Sequence, residues 1–137
     1  MRQIDFISNE HQKRFEELIE KGSTSIWNNE RRQLFYVIAG CDDLWTAKDR
    51  IYDFTNHELG MYDPRHLSSS LLNIYRRSLH LYNFHRKDIP TADLSGLDRE
   101  HKKIAVNAMC IYFGIDTMPV SRNANLVNEK EKMRYGI

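Results

Sequence analysis

Arg76, His80, Asn83 and Lys87 recur at i, i+4, i+7 and i+11, which places them on one face of a helix. Arg77 and Arg86 flank this strip, and Tyr75, Tyr82 and Phe84 lie close by. Guanidinium groups clamp phosphate or carboxylate in a fork, and an aromatic ring stacks on a flat group. The strip therefore suits a phosphorylated small molecule, an acidic protein patch or a short stretch of nucleic acid. Arg76, Arg77, His80 and Lys87 would hold phosphates, Tyr82 would stack and Asn83 completes the face. The competing reading is a solvated basic side opposite an apolar one, as on any surface helix. Arg31 and Arg32 either join this strip in the fold or pair with acids such as Asp42 and Asp43.

Other chemistry is harder to assemble. His57-Glu58 begins like a zinc-peptidase helix, but position 61 is Met, so the second ligand is missing. His80 and His85 are out of helical phase with one another, and no Cys-x-x-Cys occurs. No metal or other cofactor is expected. Ser68-Ser69-Ser70 reads as a helix cap rather than a nucleophile, since no Gly-x-Ser-x-Gly turn is present. Cys41 precedes Asp42-Asp43, whose charge should raise a thiol pKa, and Cys110 falls in a core-like stripe. The six glycines are isolated, so none builds a phosphate loop. Trp27 sits in a polar loop, where an aromatic ring is either a contact surface or, more commonly, a lid over the core.

These residues need a scaffold, and 137 residues suffice for one domain with its own core. Net charge is +1, a weak basis for binding nucleic acid by charge. No apolar run approaches bilayer length, the first residues lack a secretory core, and the two distant cysteines suit reduced thiols. A cytoplasmic location without membrane contact follows as the expectation.

Caps and apolar spacing predict five helices. The first covers about 9–21, with Ser8 as cap and Gly22 as a left-handed stop. A second runs from Asn28 or Asn29 to about Ala39. Its apolar run, Leu34 to Ala39, also fits a buried strand, and Glu30-Arg31-Arg32-Gln33 tips the reading to helix. The third covers about 43–54, with turn signals through 55–66. The longest covers 69–86, and a single helical turn is expected within 91–96. The fifth, capped by Asp98, covers 99–113 and is closed by Gly114. Residues 115–120 suit an extended arm, and 121–137 form a polar tail, loose or ordered on a partner. The fold expected is all-α: a compact bundle of about five helices in one domain, 1–120, followed by the tail.

Several stretches carry a resemblance as a set. They are Leu34-Phe35-Tyr36-Val37-Ile38-Ala39-Gly40 with Asp42-Asp43-Leu44, then Tyr52-Asp53-Phe54, then Leu67-Ser68-Ser69-Ser70 through Leu81-Tyr82-Asn83, and Leu97-Asp98 through Asn107-Ala108 to Phe113-Gly114. With Phe6-Ile7-Ser8-Asn9-Glu10-His11, this resembles a family of small uncharacterised proteins of Gram-positive bacteria, their phages and mobile elements. The resemblance assigns no activity and no site residues. It implies an accessory protein that binds a host protein or a small signal. The function expected is thus a non-enzymatic binding protein that counters host defence, by binding a defence protein or sequestering a nucleotide signal. A small nucleic-acid-associated regulator, using the basic helix and Lys130–Arg134, is the alternative. A homo-oligomer is compatible with either.

Overall fold

The protein is described here by a computed structural model that covers residues 2–3, 5–83 and 96–117. Among these are the helices α1 (Asn9–Lys21), α2 (Asn29–Gly40), α3 (Asp42–Thr46), α4 (Lys48–Ile51), α5 (Ser69–Asn83) and α6 (Arg99–Tyr112). Four two-residue strands accompany them: β1 (Arg2–Gln3) beside β4 (Asp116–Thr117) in parallel, and β2 (Tyr52–Asp53) against β3 (Glu58–Leu59) in a hairpin. The fold is all-α in class, as expected.

Helix α2 is the axis of the molecule. Every side chain from Arg32 to Ala39 is buried, and α1, α5 and α6 all pack on it. Each fully buried Leu, Ile or Phe stabilises by about 1.5–3 kcal/mol, so Leu34, Phe35 and Ile38 together hold these helices. All three neighbours run against α2. His11 of α1 and Ile104 of α6 approach Gly40 at its end, while Gly22 after α1 and Gly114 after α6 lie against its start.

Caps set the starts of α1, α2, α5 and α6 as the sequence predicts, whereas the expected Asp42 or Asp43 cap of the third helix does not form: α3 starts at Asp42 after Cys41, with no side-chain cap. The Ser8 hydroxyl accepts from the His11 N–H, Asn28 from Arg31, Ser68 from Leu71 and Asp98 from His101. Gly22 does stop α1, but its φ is −86°, not left-handed. Ser23, at φ 48°, takes that position instead. Glycine is needed at 22 because a Cβ there would lie 2.9 Å from the Phe35 ring. Gly114 does have the positive φ, 70°.

The expected helix 43–54 does not form as one piece. At Ala47 the backbone leaves helical geometry (φ −96°, ψ 8°), which separates α3 from α4. The chain then turns extended at Tyr52, because Tyr52 and Phe54 pack on Phe35 with ring centroids 5.1 and 5.6 Å away. The Asp53 carboxylate accepts from the Thr55 and Asn56 N–H groups, and that local turn seeds the hairpin. Residues 91–95, 118–120 and 121–137, with their expected turn, arm end and tail, lie outside the described residues, as does the continuation of α5 to 86. The start of the arm is extended as expected, in β4.

Gly60 fixes the exit of the hairpin. Its N–H donates to the Ile51 carbonyl at 2.8 Å, and a Cβ on it would overlap the Arg50 carbonyl oxygen. Gly60→Ala is expected to cost about 1–3 kcal/mol, read as a lower urea midpoint with an unchanged m-value.

Candidate functional site

The two ends of the bundle differ in chemistry. At one end the first turns of α1 and α6 meet the short α3 around a groove of about 550 Å³, lined by Glu10, His11, Cys41, Asp42, Asp43 and Glu100. Carboxylates there complement the helix dipoles and disfavour an anionic ligand. Arg14 is already engaged, donating to Glu10 at 3.1 Å and Asp42 at 2.8 Å. Burial pushes the Cys41 thiol up to about 12, with Asp42 and Asp43 adding to it, so the thiolate is scarce at neutral pH. The sequence argument from the two aspartates has the right direction, and burial is the larger cause. Among the described residues no group of His, Cys, Asp and Glu is arranged to hold a metal ion.

His11 belongs to the scaffold. It is 1 % exposed, with Nε2 2.8 Å from the Tyr36 carbonyl and Nδ1 accepting the Ile7 N–H at 3.2 Å. These partners require the neutral ring with its proton on Nε2. Nearby, the Tyr36 hydroxyl donates to the Asp5 carbonyl, and Asn107 Nδ2 donates to the same oxygen at 3.2 Å. The segment before α1 is thereby strapped over α2 and α6. Nothing in the sequence separates His11 from the surface histidines except its one-turn spacing to Phe15.

At the opposite end stands an apolar surface. Trp27 is 84 % exposed and Ile26 61 %, and Phe113 at 61 % and Ile115 at 51 % flank Gly114 after α6. A Cβ on Gly114 would sit 3.3 Å from Asn29 Nδ2, so the end of α6 abuts the start of α2 and the loop before it. The lid reading of Trp27 is therefore wrong. The loop aims it outward: the Trp27 N–H donates to the Ser25 hydroxyl at 3.1 Å, the Asn29 N–H donates to the Trp27 carbonyl at 3.1 Å, and Asn28 caps α2. Arg32, buried beneath, donates to the Ile26 carbonyl at 3.2 Å and to Asn29 Oδ1 at 2.9 Å. Arg31 donates to the Gly22 and His57 carbonyls at 3.3 and 3.4 Å. Neither arginine pairs with Asp42 or Asp43 in this arrangement, because α2 holds them at the far end from those acids.

The residues singled out on α5 part company. Arg76 is exposed and makes no hydrogen bond or ion pair among the described residues. Arg77 is half-buried, its Nε donating to Asn73 Oδ1 at 2.7 Å. His80 is half-buried one turn beyond Arg76. Tyr82 is engaged with the hairpin, its ring edge-on to Tyr52 at 6.1 Å and its hydroxyl 3.4 Å from the Tyr52 hydroxyl. Arg31 lies 5.8 Å over the same Tyr52 ring, so it does approach this end of α5. Asn83 closes α5; its side chain, with Phe84, Arg86 and Lys87, lies outside the described residues.

Fold and surface thus define a small helical protein with a groove rich in carboxylates at one end and exposed apolar side chains at the other. The chain belongs to a family of unknown function, DUF6075, whose model matches residues 1–108. That span takes in Trp27 and the His11–Tyr36–Asn107 cluster and stops short of Phe113. No curated protein and no solved structure matches the chain.

Burial holds the His11 imidazole at about 4 against an ordinary 6.5, outweighing the hydrogen bond to Tyr36. Between these values the unfolded chain binds the proton and the folded one does not. The stability present above pH 6.5 is therefore lost as pH falls towards 4. Urea melts across that range are expected to show a loss of about 3 kcal/mol. NMR should show His11 titrating near 4; a titration near 6.5 would contradict its burial.

Proposed function

We propose that this is a non-enzymatic binding protein that docks a partner protein through the end displaying Trp27. The observation that carries the reading is the 84 % exposure of Trp27 on a loop whose backbone is fixed from both sides. Exposed tryptophan on a preorganised loop is a common binding anchor, and it is otherwise a solubility liability. Setting and location belong to the same proposal. An accessory factor of a phage or mobile element of Gram-positive bacteria, acting in the cytoplasm, would find its partner in a host defence protein. No described helix is long and apolar enough to cross a membrane, which agrees with a partner met in water.

A second reading keeps the α5 strip, with Arg76 and its neighbours holding a phosphorylated signal. The unengaged Arg76 guanidinium favours it, and the engagement of Tyr82 with Tyr52 weighs against a stacked base. A melting-temperature rise with a nucleotide signal, absent in Arg76→Gln, would select it over the first.

Trp27→Ser tests the first reading. Stability is expected to change by less than about 0.5 kcal/mol, because the ring is outside the core. Binding to the partner is expected to fall by about 2 kcal/mol, or about thirtyfold in Kd. The comparison is quantitative co-purification from host lysate with wild-type and variant bait. Identical recovery of every captured protein by the two baits would show that the Trp27 end is not the docking face.

A further inference from the structure

We infer that the segment before α1 is an acid-released latch: a second proton on His11 lifts residues 5–7 off the bundle while α1 and α2 stay joined. The docking reading above has no part in this inference.

The two ring nitrogens of His11 face partners of opposite kind. Nε2 carries the proton and lies 2.8 Å from the Tyr36 carbonyl, whereas Nδ1 accepts the Ile7 N–H at 3.2 Å. A second proton leaves the bond to Tyr36 in place and strengthens it with charge. The same proton turns Nδ1 into a donor facing the Ile7 donor, so that contact becomes repulsive. The conflict therefore falls between α1 and the strap, not between α1 and α2.

The hold of the strap on the bundle is local. Phe6 rests on His11, Phe15 and Tyr36, with ring centroids 5.0, 5.6 and 5.7 Å away. The Asp5 carbonyl accepts from Tyr36 and Asn107. Asp5 and Ser8 are exposed and Phe6 and Ile7 half-buried, whereas α1 buries Phe15 and Leu18 completely. Lifting the strap gives the charged ring access to water without breaking a helix, so it costs less than global unfolding. Before the strap, β1 pairs with β4 over two residues, too few to persist without support. Release of the strap thus frees β4 as well.

The charges around His11 set the pH of release. Arg14 of α1 and Lys103 of α6 oppose the second proton. Glu10 of α1, Asp42 and Asp43 of α3, and Glu100 and His101 of α6 line the groove beside the ring, with Cys41. The Tyr36 ring of α2 lies 4.5 Å away. The nitrogens of His11 bond to none of these side chains. Burial outweighs them and holds the ring neutral down to about 4. The latch is closed above that value and opens as pH falls through it.

The test is NMR of the full chain from neutral pH to below 4. The Ile7 amide signal, the Phe6–Phe15 ring contacts and the Thr117 amide signal should be half lost where His11 is half protonated, with the Leu34–Ala39 amides unchanged. Coupling is reciprocal, so Phe6→Ala should raise the His11 midpoint by about one pH unit, a tenfold gain in proton affinity. His11→Asn keeps an acceptor near the place of Nδ1 and cannot titrate, so its strap should stay closed throughout. Loss of strap and α2 signals at one midpoint would reduce the proton to a trigger of global unfolding and overturn the latch. So would a closed strap beside a protonated His11, or an unshifted midpoint in Phe6→Ala. A strap that still opens in His11→Asn would assign release to the carboxylates instead. The wild-type and Phe6→Ala spectra decide the matter should His11→Asn not fold.

Discussion

Burial of α2 from Arg32 to Ala39 is the constraint on which the rest depends. A stretch of helix with no solvent face must pair most of the polar groups it carries, because an unsatisfied buried donor or acceptor costs about 1–3 kcal/mol. Gln33 does so with Ser78 of α5, the Tyr36 hydroxyl with Asp5 and Asn107 of α6, and the Tyr36 carbonyl with His11 of α1. Each of α1, α5 and α6 is thus keyed to α2 by at least one directional bond in addition to apolar packing. Those bonds fix axial register, which packing alone specifies weakly.

Register then dictates where charges and apolar groups fall. Because α1 and α6 run against α2 and α3 follows its end, the acid-bearing first turns of α1, α3 and α6 gather at one end and the start of α2 lies at the other. There the Ser23–Asn28 connection has little to pack against. Its backbone is satisfied by Ser25, Asn29, Arg31 and Arg32, and its two large apolar side chains are left outside.

What the sequence reveals follows from how local the determining interaction is. Ser8, Asn28, Ser68 and Asp98 cap helices within three residues of themselves, and the helix starts are accordingly legible. The run Leu34 to Ala39 is readable as central helix once the polar residues before it are weighed. The break at Ala47 is not, because the stripe Leu44, Ala47, Ile51 is helical in spacing and the hairpin is decided by Tyr52 and Phe54 meeting Phe35 across the fold. His11 is silent for the same reason: its partner Tyr36 lies 25 residues away, and the partner of Tyr36, Asn107, 71 further. Trp27 was visible as an aromatic in a polar loop, but its direction depends on bonds to Arg32 and the proximity of Gly114. The strip on α5 is helical as its spacing implies. Which of its members face outward depends on the hairpin that draws in Tyr82 and on Asn73 beside Arg77.

Native-state hydrogen exchange on α2 tests the account most directly. If α2 is the keyed axis, the amides of Leu34 to Ala39 should exchange only through global unfolding, with an opening free energy equal to that from urea melts. They should form the most protected set in the molecule. Exchange of these amides through a lower-energy opening, while α1 and α6 remain protected, would show that the outer helices hold together without α2 and would contradict the account.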